Sequence, residues 1–247
     1  MTLLDLSGQE LVKLEINGED AIAYPENSSP ETFSLLGITS LDCSDNQLTS
    51  LPLLPKRLKE LYCSDNQLTS LPLLPKKLEA LYCSNNHLTS LLLLPDGLKH
   101  LGCADNKLTS LPLLPDGLKA LYCYNNQLTS LPLLPESLEM LECYNNQLTS
   151  LPILPKELKT FVCFGNQLTN LPFISAPEEL DTLFCSKNPL KYVPFFRKRP
   201  RYLSVPESLE GKYSKENYQE GYRLQETNRY LFLIFFTEIG FQLDFLS

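Results

Sequence analysis

The sequence predicts a solenoid, a stack of short units whose strands form one parallel sheet, whose return segments are extended and whose two ends carry caps. Three observations predict it. Eight cysteines, Cys43, Cys63, Cys83, Cys103, Cys123, Cys143, Cys163 and Cys185, stand twenty residues apart until a last gap of twenty-two. The text around each recurs almost verbatim, as in LYCSDNQLTSLPLLP from Leu61 to Pro75. Two prolines recur in the second half of the unit, Pro52 and Pro55 in its first copy.

Aligned on the cysteine, each unit reads L-x-x-L-x-C-x-x-N-x-L-x-x-L-P-x-L-P, which is the leucine-rich-repeat pattern. Eight copies run over residues 38–194, from Ile38 to the unit of Leu180, Leu183, Cys185, Asn188, Leu190, Val193 and Pro194. The expected organisation is a cap over 1–37, the repeats over 38–194 and a capping segment over 195–247. In Leu61-Tyr62-Cys63 the period of a strand turns Leu61 and Cys63 inward and Tyr62 outward. Stacked copies give a parallel sheet on the concave face. The asparagine column, Asn66 and its equivalents, is read as a ladder in which each amide satisfies backbone groups of the turn. The paired prolines rule out an α-helical return, so the convex side is expected to be extended and polyproline-like, anchored by Leu51 and Leu54 with Lys56 and Arg57 at the rim. Leu92 replaces a proline in the third copy, a change that should leave its turn intact.

Both flanks suit capping of an otherwise exposed core. Leu11–Ile16 and Glu19–Tyr24 are strand-like and joined by Asn17-Gly18, which favours a hairpin, followed by a loop through Pro25 to Pro30. Residues 195–247 hold half of the 12 Phe and 12 Tyr residues. Within them, a helical stretch is expected near Glu207 to Arg229, then an apolar run from Tyr230 to Phe236 that packs on the last repeat. The cap should be small and α or α/β. The basic cluster Arg197, Lys198, Arg199 and Arg201 reads as a solvated linker in preference to a targeting or lipid patch.

Repetition argues against chemistry at the thiols. Each cysteine fills an inward apolar slot, where a free thiol behaves as a small hydrophobe. Disulfides are disfavoured by parallel stacking, and no C-x-x-C pair supports a metal. The two histidines, His87 and His100, form no ligand set. With no phosphate loop, H-E-x-x-H or G-x-S-x-G, neither a catalytic residue nor a cofactor is expected. A net charge of −8 opposes a nucleic-acid role. No stretch is long enough for a membrane span, and the start lacks the basic and apolar regions of a Sec-type signal peptide. Reduced thiols favour a reducing compartment.

The outward columns beside the cysteines place Tyr122, Tyr124, Tyr144 and Phe164 together in copies five to seven, with Tyr62 and Tyr82 as a smaller patch beyond Gly102 and Ala104. Aromatics on a sheet also serve strand formation and cross-strand packing. Their exposure on a monomer favours protein binding, with Tyr62, Tyr82, Tyr122, Tyr124, Tyr144 and Phe164 as the binding surface.

The twenty-residue unit with its L-P-x-L-P element resembles the repeats of YopM- and IpaH-type effectors, leucine-rich proteins that bacterial pathogens inject into host cells. The resemblance implies a bacterial protein without a Sec-type signal, delivered to the host cytoplasm by a specialised secretion system, and a non-enzymatic scaffold engaging a host protein. Plain intracellular leucine-rich proteins of bacteria or large viruses stay open as sources. This chain differs in having cysteine where those repeats often have valine, and a hairpin signal where they begin with two helices. The ligase branch of that family carries a catalytic cysteine in a large C-terminal domain, whereas none of the residues after Cys185 is cysteine. An enzyme, or a secretion or assembly element, in the C-terminal tail is the alternative function.

Overall fold

The computed structural model describes residues 2–172, 180–194, 198–214 and 217–219. Among them, ten short strands form one parallel sheet. In chain order these are β1 (Leu3–Asp5), β5 (Ser40–Asp42), β6 (Glu60–Tyr62), β7 (Ala80–Tyr82), β8 (His100–Gly102), β9 (Ala120–Tyr122), β10 (Met140–Glu142), β11 (Thr160–Val162), β12 (Thr182–Phe184) and β13 (Tyr202–Ser204). Register advances by the repeat: Leu41 pairs with Leu61, Leu61 with Leu81 and Leu81 with Leu101. The twenty-two-residue last step is absorbed between strands, since Phe161 still pairs with Leu183.

The inward columns are dry. Leu61, Cys63, Leu68 and their equivalents through the central repeats are fully buried. All eight cysteines are free and buried, and burial pushes the Cys43, Cys83 and Cys185 thiols up to about 12. A thiol so placed stays protonated at neutral pH, the state of a packing residue and not of a nucleophile.

Each turn after a strand bends through a left-handed residue, Asp45, Asp65, Asn85, Asp105, Asn125 and Asn145, with φ between 51° and 56°. Asp and Asn tolerate that region better than other residues with a Cβ. The next residue is the asparagine of the ladder. Asn126 Oδ1 accepts from the Leu108 N–H at 2.9 Å, while its Nδ2 donates to the carbonyls of Cys103 at 3.0 Å, Cys123 at 3.2 Å and Tyr124 at 3.1 Å. The amide therefore bridges two successive repeats. The same set recurs from Asn66 to Asn188.

The return segments contain no helix or strand among the described residues. Each ends in a turn closed from Leu58 N–H to Pro55 C=O at 3.0 Å, and the third copy closes the same turn at Pro95 despite Leu92. Between turns and strands, Glu79 sits between Lys59 at 2.9 Å and Lys99 at 2.6 Å, and Glu139 between Lys119 and Lys159. These clamps are solvent-exposed and contribute little to stability.

The sheet extends one strand beyond the repeats at each end. At the start, the Leu11 N–H donates to Asn46 Oδ1 at 2.8 Å and Asn46 Nδ2 donates to the Leu6 carbonyl at 2.9 Å, the contacts that Leu48, Asn66 and Cys43 make one repeat later. Residues 3–11 are thus a half-repeat, with Leu6 in the cysteine slot. Its return is replaced by a three-stranded antiparallel sheet of β2 (Leu11–Asn17), β3 (Asp20–Pro25) and β4 (Glu31–Ser34). The expected hairpin is present, although Asn17 pairs with Asp20, so Gly18 and Glu19 form its turn. β4 adds a third strand that the sequence reading lacked. Leu14, Ala21, Ala23 and Leu35 bury against the first repeats.

At the other end β13 continues the sheet, and a 3₁₀ helix, Glu207–Tyr213, packs Leu209 and Tyr213 onto the last repeat. The Tyr213 hydroxyl donates to the Val193 carbonyl and accepts from the Val193 N–H at 2.9 Å. Arg199 is half-buried there, its Nε donating to the Tyr213 carbonyl at 3.3 Å. Part of the basic cluster is therefore structural. The apolar run from Tyr230 to Phe236 and most of the expected helical stretch lie outside the described residues.

The Asn126→Ala variant is expected to lose about 2–4 kcal/mol of unfolding free energy, because it strips partners from several buried backbone groups at once. Urea denaturation of that variant, with the exposed Gln127→Ala as a control expected within about 0.5 kcal/mol of the parent, measures it.

Candidate functional site

The outward face of β5 to β12 is built from the residues that alternate with the buried leucine and cysteine columns. Because every strand pairs in register, equivalent outward residues stack in straight columns. In the column after the cysteine, Tyr124 and Tyr144 stack with ring centroids 4.4 Å apart and planes within 6°. Phe164 continues the stack 4.5 Å from Tyr144. In the column before the cysteine, Tyr62 and Tyr82 stack at 5.2 Å and 4°. All six aromatic residues named from the sequence are half-buried.

The two groups are not separated by an empty gap. A Cβ on Gly102 would stand 2.7 Å from Tyr82 Cδ1, so the ring of Tyr82 rests directly on the Gly102 backbone. Gly102 needs no unusual φ; what it supplies is space. The lean carries Tyr82 toward Tyr122. Tyr122 itself stands outside the stack, its hydroxyl 3.9 Å from Met140 Sδ. Ala104 is buried, and its N–H donates to Ser84 Oγ at 3.2 Å. At the far edge, a Cβ on Gly165 would fall 2.3 Å from Asn145 Oδ1, and its φ of 66° is one that favours glycine.

Two residues join this surface that the sequence reading did not single out. Met140 and Glu142 are the outward residues of β10, the strand that pairs with β9 and its Tyr122 on one side and with β11 on the other. Spacing alone puts both in the outward columns, since they flank the buried Leu141. Burial raises the Glu142 carboxyl above the usual range. In the outward positions of β5 to β12 and the residue after each cysteine, the charged side chains are Asp42, Glu60 and Glu142, and none is Lys or Arg. The face is therefore aromatic and acidic. Such a surface can receive apolar area, and a cation that would meet a carboxylate and a ring face together.

Among the described residues no three His, Cys, Asp or Glu side chains group as metal ligands, and no helix is long and apolar enough to cross a membrane.

With that geometry in hand, known proteins give a consistent comparison. The family model "Leucine Rich repeats (2 copies)" matches residues 37–76 and 56–96. The solved structure of a Shigella effector LRR domain is 35% identical, with 64% of this chain matched to 72% of that one at a TM-score of 0.60. YopM from Yersinia pestis, described as a leucine-rich effector protein, is 35% identical over 70% of this chain and 49% of its own, at a TM-score of 0.66. YopM from Yersinia enterocolitica is 33% identical over 70% of this chain and 42% of its own, with a TM-score of 0.60. The match thus spans about half or less of either YopM chain. No curated protein sequence matches the chain.

Burial within the column changes how Tyr144 ionises. Burial pushes the Tyr144 phenol up to about 12, helped by neighbouring Tyr124, Glu142 and Asp105. A group whose folded value lies above its unfolded one contributes stability that is intact below the ordinary tyrosine value near 10 and is lost as pH rises through about 12. Tyrosinate absorbance during alkaline titration should show an ionisation near 12 whose amplitude falls in Tyr144→Phe.

Proposed function

This chain belongs to the leucine-rich-repeat family, and from that premise we propose that it is a non-enzymatic scaffold that captures another protein on its sheet face. The observation that carries the reading is the stacked column Tyr124, Tyr144 and Phe164 beside the half-buried Glu142. Tyr62, Tyr82 and Tyr122 extend the binding surface along the sheet. Rigid aromatic rings lose little entropy on contact and are enriched among residues that dominate binding energy. The fitting partner presents an arginine or lysine set in an apolar surround. Its cation would pair with Glu142 while lying against the Tyr122 and Tyr144 rings.

The likeness to YopM and the Shigella effector domain extends the reading to biology. On it, the protein is a bacterial effector delivered into the host cytoplasm, and its partner is a host protein. Its part in virulence would rest on that capture. The described tail residues serve packing: Leu209, Tyr213 and Tyr218 belong to the core. That favours a capping role over an enzyme in the tail.

Affinity capture from host-cell lysate tests the reading when the parent is compared with Tyr122→Ala/Tyr124→Ala/Tyr144→Ala. The expected result is a partner retained by the parent and lost by the variant, with the variant's circular dichroism unchanged. Capture that survives the triple substitution rules out the sheet face.

A further inference from the structure

The return side carries a surface that this function leaves unused. Leu53, Leu73, Leu93, Leu113, Leu133 and Ile153 are between 59% and 84% exposed, one in each of six successive repeats. The leucines on either side of each, such as Leu51 and Leu54, turn inward, so the row stands alone on the outside. With a strand spacing of ~4.8 Å it runs for ~24 Å. At the third repeat it is widened by Leu92, which is 53% exposed where other copies have proline. A continuous apolar row of this kind marks a contact surface.

Its two margins differ. One is neutral, formed by the exposed Thr49-Ser50 pair and its equivalents. The other is the turn edge, where the sign of charge changes along the row: Lys56, Arg57, Lys76 and Lys77 are basic, and Asp96, Asp116 and Glu136 are acidic. All are exposed.

We propose that this row seats a second copy of this chain, with the two rows antiparallel about a two-fold axis at Leu92 and Leu93. An axis lying across the rows reverses their direction while keeping each turn edge against the turn edge of the other copy. Leu73 then opposes Leu113, and Leu53 opposes Leu133. In the same register Lys76 and Lys77 face Asp116, and Lys56 and Arg57 face Glu136. Only the two Asp96 carboxylates meet as like charges. An axis along the rows would instead set every charge against the neutral margin. Moving the axis half a step, between Leu93 and Leu113, would bring Asp96 to Asp116 and Lys56 to Lys156. The acidic half of the edge and the net charge of −8 oppose an anionic lipid surface as the occupant.

A monomer is the expectation from the sequence. The exposed row revises that. Stable interfaces bury about 800 Å² per partner. A single row reaches that only with its prolines and charged edge included, so the dimer is a reversible one. It leaves both sheet faces open, and the proposal stands independently of what those faces bind.

Sedimentation equilibrium of the full chain, across protein concentrations from micromolar upward, tests it. The expected mass rises from 28.0 kDa toward twice that value. Leu93→Asp, at a site already 84% exposed, should hold the mass at 28.0 kDa with unchanged circular dichroism. Lys76→Glu/Lys77→Glu should weaken association about tenfold, and mixing it with Asp116→Lys should restore a heterodimer. The proposal is overturned by a parent that stays at 28.0 kDa throughout, or by Leu93→Asp associating as well as the parent. A charge pair that does not recover on mixing overturns the antiparallel register. Binding of neutral-lipid vesicles by a chain that remains monomeric would assign the row to lipid instead.

Discussion

In each repeat one asparagine amide ties together backbone groups that neither its own strand nor its own turn could satisfy. Asn106 shows the pattern: its oxygen takes the Leu88 N–H, and its nitrogen serves the carbonyls of Cys83, Cys103 and Ala104. Two of those four groups belong to the preceding repeat. The strands are only three residues long, too short to fix register by themselves. The amide supplies the missing constraint by locking turn to turn at a constant offset. From that offset come the stacked cysteine column inside, the stacked tyrosines on the sheet face and the leucine row on the return side.

The same constraint explains why a surface built from ordinary side chains can act as a unit. Tyr124, Tyr144 and Phe164 face one another within 4.5 Å because their backbones are held in step. A stacked pair of this kind is worth about 0.5–1.5 kcal/mol beyond the area it buries. The rings are thereby ordered in the absence of any partner, which reduces what binding must spend on ordering them. Glycine performs the opposite service at Gly102, where the missing side chain lets Tyr82 lean along the sheet.

The repeat was legible because every interior unit meets the same neighbours above and below, so the same residues recur and can be counted. Inward cysteines, the asparagine ladder, the extended return and the placement of Tyr124, Tyr144 and Phe164 all follow from the period. The ends were harder for the same physical reason. A terminal unit has one neighbour, and the pattern relaxes where the second is absent. Leu4, Leu6 and Leu11 carry the first half-repeat with leucine in the cysteine slot and Gly8 in the left-handed turn. At the other end Leu203 and Val205 continue the inward columns with no asparagine after them. The burial of Glu142 and the lean of Tyr82 are not readable from spacing, because spacing assigns a face and not the tilt or the environment of a side chain.

Native-state hydrogen exchange tests the central role of the ladder most directly. The N–H groups of Leu68, Leu88, Leu108, Leu128 and Leu148 lie in turns outside any strand, yet each donates to an asparagine Oδ1. The account expects these amides to exchange as slowly as those of the strands and to lose protection together, as one cooperative unit. Exchange at the rate of the exposed return segments would contradict it, and would place the determinant of register in the core packing alone.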